Sequence, residues 1–169
     1  DSFDRMYQEL VVNPGGAKSG GGASPGPGMW LLICRNDSNV LSRLQPLVDW
    51  RKRKGFPVYV ATTQETGTTN TAIKSYIQNA YLHWADPPEW VVLAGDADGS
   101  YGIPTFYETV SGYNGAGDHP YVQLDGSDYL GDAHVGRLSF QNTSELETIV
   151  AKMVNYESNP YMDDTSWFT

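Results

Sequence analysis

The side chains with types and spacing suited to chemistry fall into two sets. The first is acidic. Asp125-Gly-Ser-Asp128-Tyr-Leu-Gly-Asp132 sets three carboxylates three and four residues apart, with glycines between them. Asp96 follows an apolar run and Gly95, and it joins them if the strands lie as the pattern below suggests. Calcium takes roughly six to eight oxygens, several of them carboxylate, on a backbone able to fold around the ion. Aspartates at this spacing can converge on one cation, and backbone carbonyls can complete its shell. Without a cation such a cluster repels itself and raises some of its own pKa values. The DxDxDG order, the distal Glu and the flanking helices of an EF-hand are missing. Asp and Gly are also ordinary turn formers, so a solvated turn is the competing reading. Asp98 and Asp118, in the long loop upstream, are further acidic candidates.

The second set is nucleophilic. Cys34 is the single cysteine, and the histidines are His83, His119 and His134. A dyad needs a thiolate held beside an imidazolium or a helix start at hydrogen-bond range. Cys34 closes the apolar run Met29–Cys34, where a buried, inert thiol is the default. His83 lies beside Trp84 at a helix end, and His134 alternates with Ala133 and Val135, so it faces solvent or the acidic loop. A Gly-rich stretch, residues 13–28, lacks the GxxxxGK[ST] order and precedes a strand, where a phosphate loop would follow one.

Elements must position these groups. Met29–Cys34 and Trp90–Ala94 are continuous apolar runs of strand length, as strands buried on both faces require. Pro57–Thr63 reads as another strand, and Tyr121–Leu124 and Ala133–Arg137 as short ones. Val40, Leu41, Leu44, Leu47 and Val48 share a helical face; Pro46 should kink that helix or open a second, and Gly55 should cap it. The basic run Arg51-Lys52-Arg53-Lys54 reads as its solvated last turn. A second helix starts near Asn70, with Ile73, Tyr76, Ile77, Ala80, Tyr81 and Trp84 on one face, and Pro87-Pro88 ends it. Residues 97–119 read as a long loop. A last helix opens at Ser144 with Glu147 completing a capping box. Strands alternating with helices give a parallel sheet covered on both faces, with ligands beyond the carboxyl ends of the strands. Residues 1–28 form an N-terminal arm and a Gly/Pro-rich linker, and 29–169 form the folded unit.

At 169 residues, 40% apolar, with five Trp and eleven Tyr, the chain can bury a core. Its net charge of −9 argues against nucleic acid as a partner. No run approaches the roughly 20 apolar residues of a membrane span. A chain opening on Asp1 reads as a processed product or a fragment. Asn36-Asp37-Ser38 and Asn142-Thr143-Ser144 fit the glycosylation acceptor pattern.

Five blocks in order resemble the gingipain-like cysteine peptidases, peptidase family C25. They are LQPLVDWRKRKGFPVYVATT, TAIKSYIQNAY, WVVLAGDAD, YVQLDGSDYLGDAHVGRLS and SELETIVAKMVNYESNP, and the similarity runs from about Trp30 to Trp167. The resemblance implies a three-layer, caspase-like α/β fold with a mostly parallel sheet. This chain would be the first of two subdomains. The family's catalytic histidine, in a Gly-His-Gly turn, and its catalytic cysteine would belong to the second, and neither motif occurs here. The resemblance also implies structural calcium, with ligands carried over to Asp96, Asp125, Asp128, the Leu130 carbonyl and Asp132. The last of these is Asp where gingipains have Glu, a shorter reach. The expectation is therefore part of a secreted or cell-surface bacterial cysteine endopeptidase, acting on protein or peptide substrates and inactive alone. The alternatives are a non-catalytic, calcium-binding interaction module with the same fold and a small-ligand α/β domain that shares the pattern.

Overall fold

A computed structural model describes residues 27–160. The arm and most of the linker expected over 1–28, and the end of the similarity at Trp167, lie outside the described residues. Four parallel strands form one sheet in the order β2-β1-β3-β6: β1 Met29–Cys34, β2 Val58–Thr62, β3 Pro88–Ala94 and β6 His134–Leu138. The chain leaves β1 for β2 and then returns past β1 to β3. Right-handed crossovers in opposite directions place their helices on opposite faces.

The helices do separate in this way. On one face α1 (Ser38–Arg53) and α4 (Thr143–Ser158) cover Trp30, Leu32, Cys34, Val92 and Ala94 with Val40, Leu44, Leu47, Leu146 and Val150. On the other, α3 (Asn70–His83) sets Ile73, Ile77 and Ala80 against Leu31, Ile33, Val91 and Leu93. A one-turn helix, α2 (Thr63–Thr66), precedes α3. The continuous apolar runs are thus explained: successive residues of β1 and β3 enter opposite cores.

Local chemistry sets the helix ends. The Asp37 carboxylate accepts from the Asn39 and Val40 N–H groups at the start of α1, and Thr69 Oγ1 accepts from Ala72 N–H in α3. Pro46 neither breaks nor divides α1, which is one helix through Arg53. Gly55, at φ +90°, turns the chain out of it, as expected. The basic run is not merely a solvated helix end. Arg51 is buried, lies over the Trp30 ring at 4.3 Å, and makes two hydrogen bonds to Glu157 at the end of α4. Lys54 Nζ and Trp50 Nε1 donate to the same carboxylate at 2.8 and 2.9 Å. This clamp joins the ends of α1 and α4.

Three expectations change. Residues 119–122 form a 3-10 turn, His119–Val122, rather than a strand, because Pro120 opens it while Tyr121, Val122 and Leu124 all turn into the core. The long loop contains a hairpin, β4 Phe106–Val110 and β5 Tyr113–Gly117. Its two-residue turn, Ser111-Gly112, has positive φ at both positions (48° and 82°), the twist that suits a tight hairpin. Finally, α4 is capped by Asn142, whose side chain accepts from Ser144 and Glu145 N–H. No helix among the described residues is long and apolar enough to cross a membrane.

Candidate functional site

The residues at the carboxyl ends of the strands are held by a guanidinium. Arg137, in β6, donates through Nε and Nη2 to both oxygens of Asp118 at 2.8 and 2.7 Å. Its Nη1 donates to the carbonyls of Gly95, Asp96 and Ile103 at 2.9, 3.2 and 2.7 Å. Thr105 Oγ1 donates to Asp118 and to the Gly117 carbonyl, both at 3.0 Å. The end of β3, the loop after it and the base of the hairpin are thereby tied to one side chain. Gly95 permits the approach. Its φ is +153°, and an added Cβ would sit 2.2 Å from the Tyr101 carbonyl oxygen.

Asp96 stands beyond this node. Its carboxylate accepts from Ala97 N–H at 2.8 Å, Ser139 Oγ at 2.9 Å and Gln141 Nε2 at 3.2 Å. Those donors, the backbone N–H first, hold its pKa below the ordinary carboxylate value.

The aspartates of the 125–132 loop lie toward the amino end of β6, at the opposite end of the strands from Asp96. β3 and β6 pair in parallel from Trp90↔His134 to Ala94↔Leu138; Asp96 comes two residues after that ladder and Asp132 two residues before it. The five paired residues alone separate the two ends by about 13 Å. One calcium ion, with oxygens at about 2.3–2.6 Å, cannot take Asp96 together with Asp132. The expected convergence of Asp96 on the 125–132 segment is therefore corrected. In a parallel pair, a residue beyond the end of one strand and a residue ahead of its neighbour's start lie at opposite ends of the strands.

Within the loop the carboxylates serve the backbone. Asp132 Oδ2 accepts from the N–H groups of Leu124 and Asp125 at 2.7 and 2.9 Å. Asp125 accepts from Gly126 N–H and Asp128 from Leu130 N–H. The His119 ring donates to the Tyr129 carbonyl at 2.7 Å. Leu130 and Tyr129 are exposed. Among the described residues no three carboxylate, imidazole or thiol groups gather closely enough to hold one metal ion. As they stand, these side chains do not form a calcium cage. Asp118 is committed to Arg137, and Asp98 is exposed.

No nucleophilic dyad forms either. Cys34 is fully buried, and burial pushes its thiol up to about 12, with the Glu65 charge adding to the rise. His83 stays on α3, with Nδ1 near the Asn79 carbonyl at 3.1 Å. His134 is exposed, as expected of a residue facing solvent, and its ring stacks on Trp90 at 4.5 Å. Sequence reasoning missed Arg137 and Glu157 as organising residues. The available signals were a lone arginine in an apolar strand and a Tyr-Glu pair at a helix end.

Known proteins share this architecture. The model of peptidase family C25 matches residues 24–168. Lys-gingipain of Porphyromonas gingivalis is 33% identical over 122 residues, 68% of this chain and 7% of that protein. Gingipain R2 of the same organism is 24% identical over 72% of this chain and 16% of its own length. A solved protease structure superposes with a TM-score of 0.68 at 30% identity, covering 81% of this chain and 30% of that one. The complex of the Porphyromonas gingivalis RgpB pro- and mature domains superposes with a TM-score of 0.65 at 22% identity, covering 76% of this chain and 29% of that one. The caspase-like α/β layering agrees with these neighbours. The chain thus spans a small part of the relatives it matches, and it belongs to the gingipain-like cysteine peptidases of family C25.

Proposed function

We propose that this chain is the first subdomain of a secreted or surface-exposed cysteine endopeptidase, and that it works as scaffold rather than as catalyst. The observation that carries this reading is the family match over residues 24–168 together with the burial of the only thiol. A nucleophilic cysteine needs an accessible thiolate, and a thiol held near 12 beneath α1 supplies none. The Cys-His dyad then belongs to the second catalytic subdomain, downstream in the parent protein. Substrates are proteins or peptides, met by the parent rather than by this part alone.

Peptide cleavage by the parent protein and by its Cys34→Ala variant tests the reading. Equal rates are expected, because the thiol contributes packing and not chemistry. Loss of turnover in Cys34→Ala with the fold intact would overturn the assignment of the nucleophile to the missing part. A parent without peptidase activity would favour the non-catalytic module.

Calcium remains a proposal for the loop alone, on Asp125, Asp128, Asp132 and the Leu130 carbonyl. Its support is the crowding of carboxylates within eight residues of a chain carrying −9 net charge. Binding there requires Asp132 to turn from the two N–H groups it now accepts from.

A further inference from the structure

A two-stranded hairpin is marginal in water unless something packs on it. In the β4–β5 hairpin only the base is packed. Phe106 meets Tyr121 edge-on at 4.8 Å, and Thr105 and Asp118 are bound into the Arg137 node. Beyond the base, Tyr107, Glu108, Thr109, Asn114 and Ala116 are exposed. Among the described residues no third strand joins the pair.

The turn fixes which backbone groups are left over. Val110↔Tyr113 closes a two-residue turn and is therefore a hydrogen-bonded pair. Alternation makes Thr109↔Asn114 and Tyr107↔Ala116 the other kind, with N–H and C=O directed away from the partner strand. The outer edge of β5 thus offers the backbone of Asn114 and Ala116. Natural edges are blunted by Lys, Pro, charges or bulges. β5, YNGAG, has no Lys, Pro or charge and pairs with β4 without irregularity. Its glycines suit the close approach of another backbone, and a Cβ added at Gly117 would meet nothing within 4 Å. Glu108 stands across from Gly115, so no β5 side chain screens its carboxylate from that edge.

Charge selects the occupant. Residues 96–118 carry Asp96, Asp98, Glu108 and Asp118 and no Lys or Arg. Among the described residues only Asp118 of these four has an ion-pair partner. A second copy of the chain, at −9 net charge, would set the same acidic stretch against itself. A basic segment meets no such repulsion. Position agrees: the Arg137 node roots the hairpin beyond the carboxyl ends of β3 and β6, where α/β sheets take their ligands.

We propose that β5 receives an extended, Lys- or Arg-bearing segment of the substrate polypeptide as a third strand. The segment hydrogen-bonds to Asn114 and Ala116 and lays a cationic side chain over Gly115 beside Glu108. The proposal rests on the peptidase reading above, and it concerns how the substrate is held rather than which bond is cut.

Fluorescence anisotropy on the parent protein tests this, with its reactive thiol alkylated by iodoacetamide so that the probe stays whole. Buried Cys34 is spared. The probe is a dye-labelled peptide alternating lysine with threonine. Ala116→Pro removes an outward N–H and no bond within the hairpin, and should weaken binding at least about tenfold. Glu108→Gln should weaken it roughly two- to fivefold and flatten its salt dependence. Thr109→Pro, on the opposite edge, should leave it unchanged, and a glutamate–threonine peptide should not bind. Undiminished binding by Ala116→Pro would overturn the proposal, and so would equal losses in the two proline variants or equal binding of the glutamate peptide. Self-association of the parent that Ala116→Pro abolishes would overturn it as well, because a second copy would then be the occupant. If Ala116→Pro does not fold, Glu108→Gln decides, and an unchanged Kd there rejects the site. Peptide cleavage by the unalkylated parent scores the enzyme reading separately. An inactive parent that binds the lysine peptide through β5 keeps the surface and loses the peptidase, and an active parent that does not bind it there does the reverse.

Discussion

Arg137 shows how much of this molecule depends on single side chains. Its five hydrogen bonds satisfy one carboxylate and three carbonyls at the carboxyl end of β3, where a free cation would otherwise suit the same oxygens. Lysine cannot reproduce the two-pronged contact with Asp118. Arg137→Met leaves Asp118 charged and largely enclosed, and should cost roughly 3–5 kcal/mol in urea unfolding. A loss under about 1 kcal/mol, the scale of a surface pair, would show that the node is solvated. Glu157 acts at the other edge. Burial raises its pKa, but hydrogen bonds from Lys54, Trp50 and Arg51 and the Arg51 charge outweigh that and hold it at about 2, against an ordinary 4.5. The folded state thus prefers the carboxylate. The contribution is complete above about pH 4.5 and disappears as pH falls toward about 2. Glu157→Gln should flatten that part of the urea-midpoint profile; an unchanged slope between those pH values would contradict the clamp. Cys34's burial was legible in its apolar run. Neither charged node was, because their partners stand 19 and 106 residues apart and only the fold joins them.

At the scale of elements, periodicity located β1, β2, β3 and the three long helices, because each shows one environment over many residues. It failed where two local patterns coincide. Asn142-Thr-Ser144-Glu145-Leu-Glu147 holds two acceptors, each with a Glu three residues on. A one-dimensional pattern cannot choose between them. The fold chooses Asn142: Glu145 accepts from Gln141 N–H at 2.7 Å and from Asn142 Nδ2, which completes the cap. Asn142→Ala should cost about 1 kcal/mol in thermal or urea unfolding, and Ser144→Ala a few tenths. The reverse order would restore the later start. The hairpin escaped notice because β5, YNGAG, has few of the branched residues that mark strands, and its identity comes from pairing with β4. Tyr121, Val122 and Leu124 suggested a strand by composition, yet all three enter one core, which a period of two forbids.

Across the whole molecule, the sheet was readable and one of its consequences still went unused. Asp96 comes after one strand and Asp132 before its parallel neighbour, so the pairing alone assigns them to opposite ends of the strands. This geometry gives the calcium proposal a sharp test. If the ion sits in the 125–132 loop, Asp128→Asn and Asp132→Asn remove ligands, whereas Asp96→Asn removes none. Asp132→Asn also weakens two backbone contacts, so Asp128→Asn, at an exposed position, is the cleaner variant. An ion that binds only the folded state at about a hundred times its Kd stabilises it by about 2.7 kcal/mol, which in a domain of this size raises Tm by roughly 5–10 °C. The expected result is a rise of that order on moving from EGTA to calcium, lost in Asp128→Asn and kept in Asp96→Asn. Magnesium, smaller and slower to shed water, should reproduce little of it. A Tm indifferent to EGTA would leave the loop as a turn whose aspartates serve only its own backbone. A shift lost in Asp96→Asn would mean that the ion binds at the carboxyl edge instead, beside the guanidinium of Arg137.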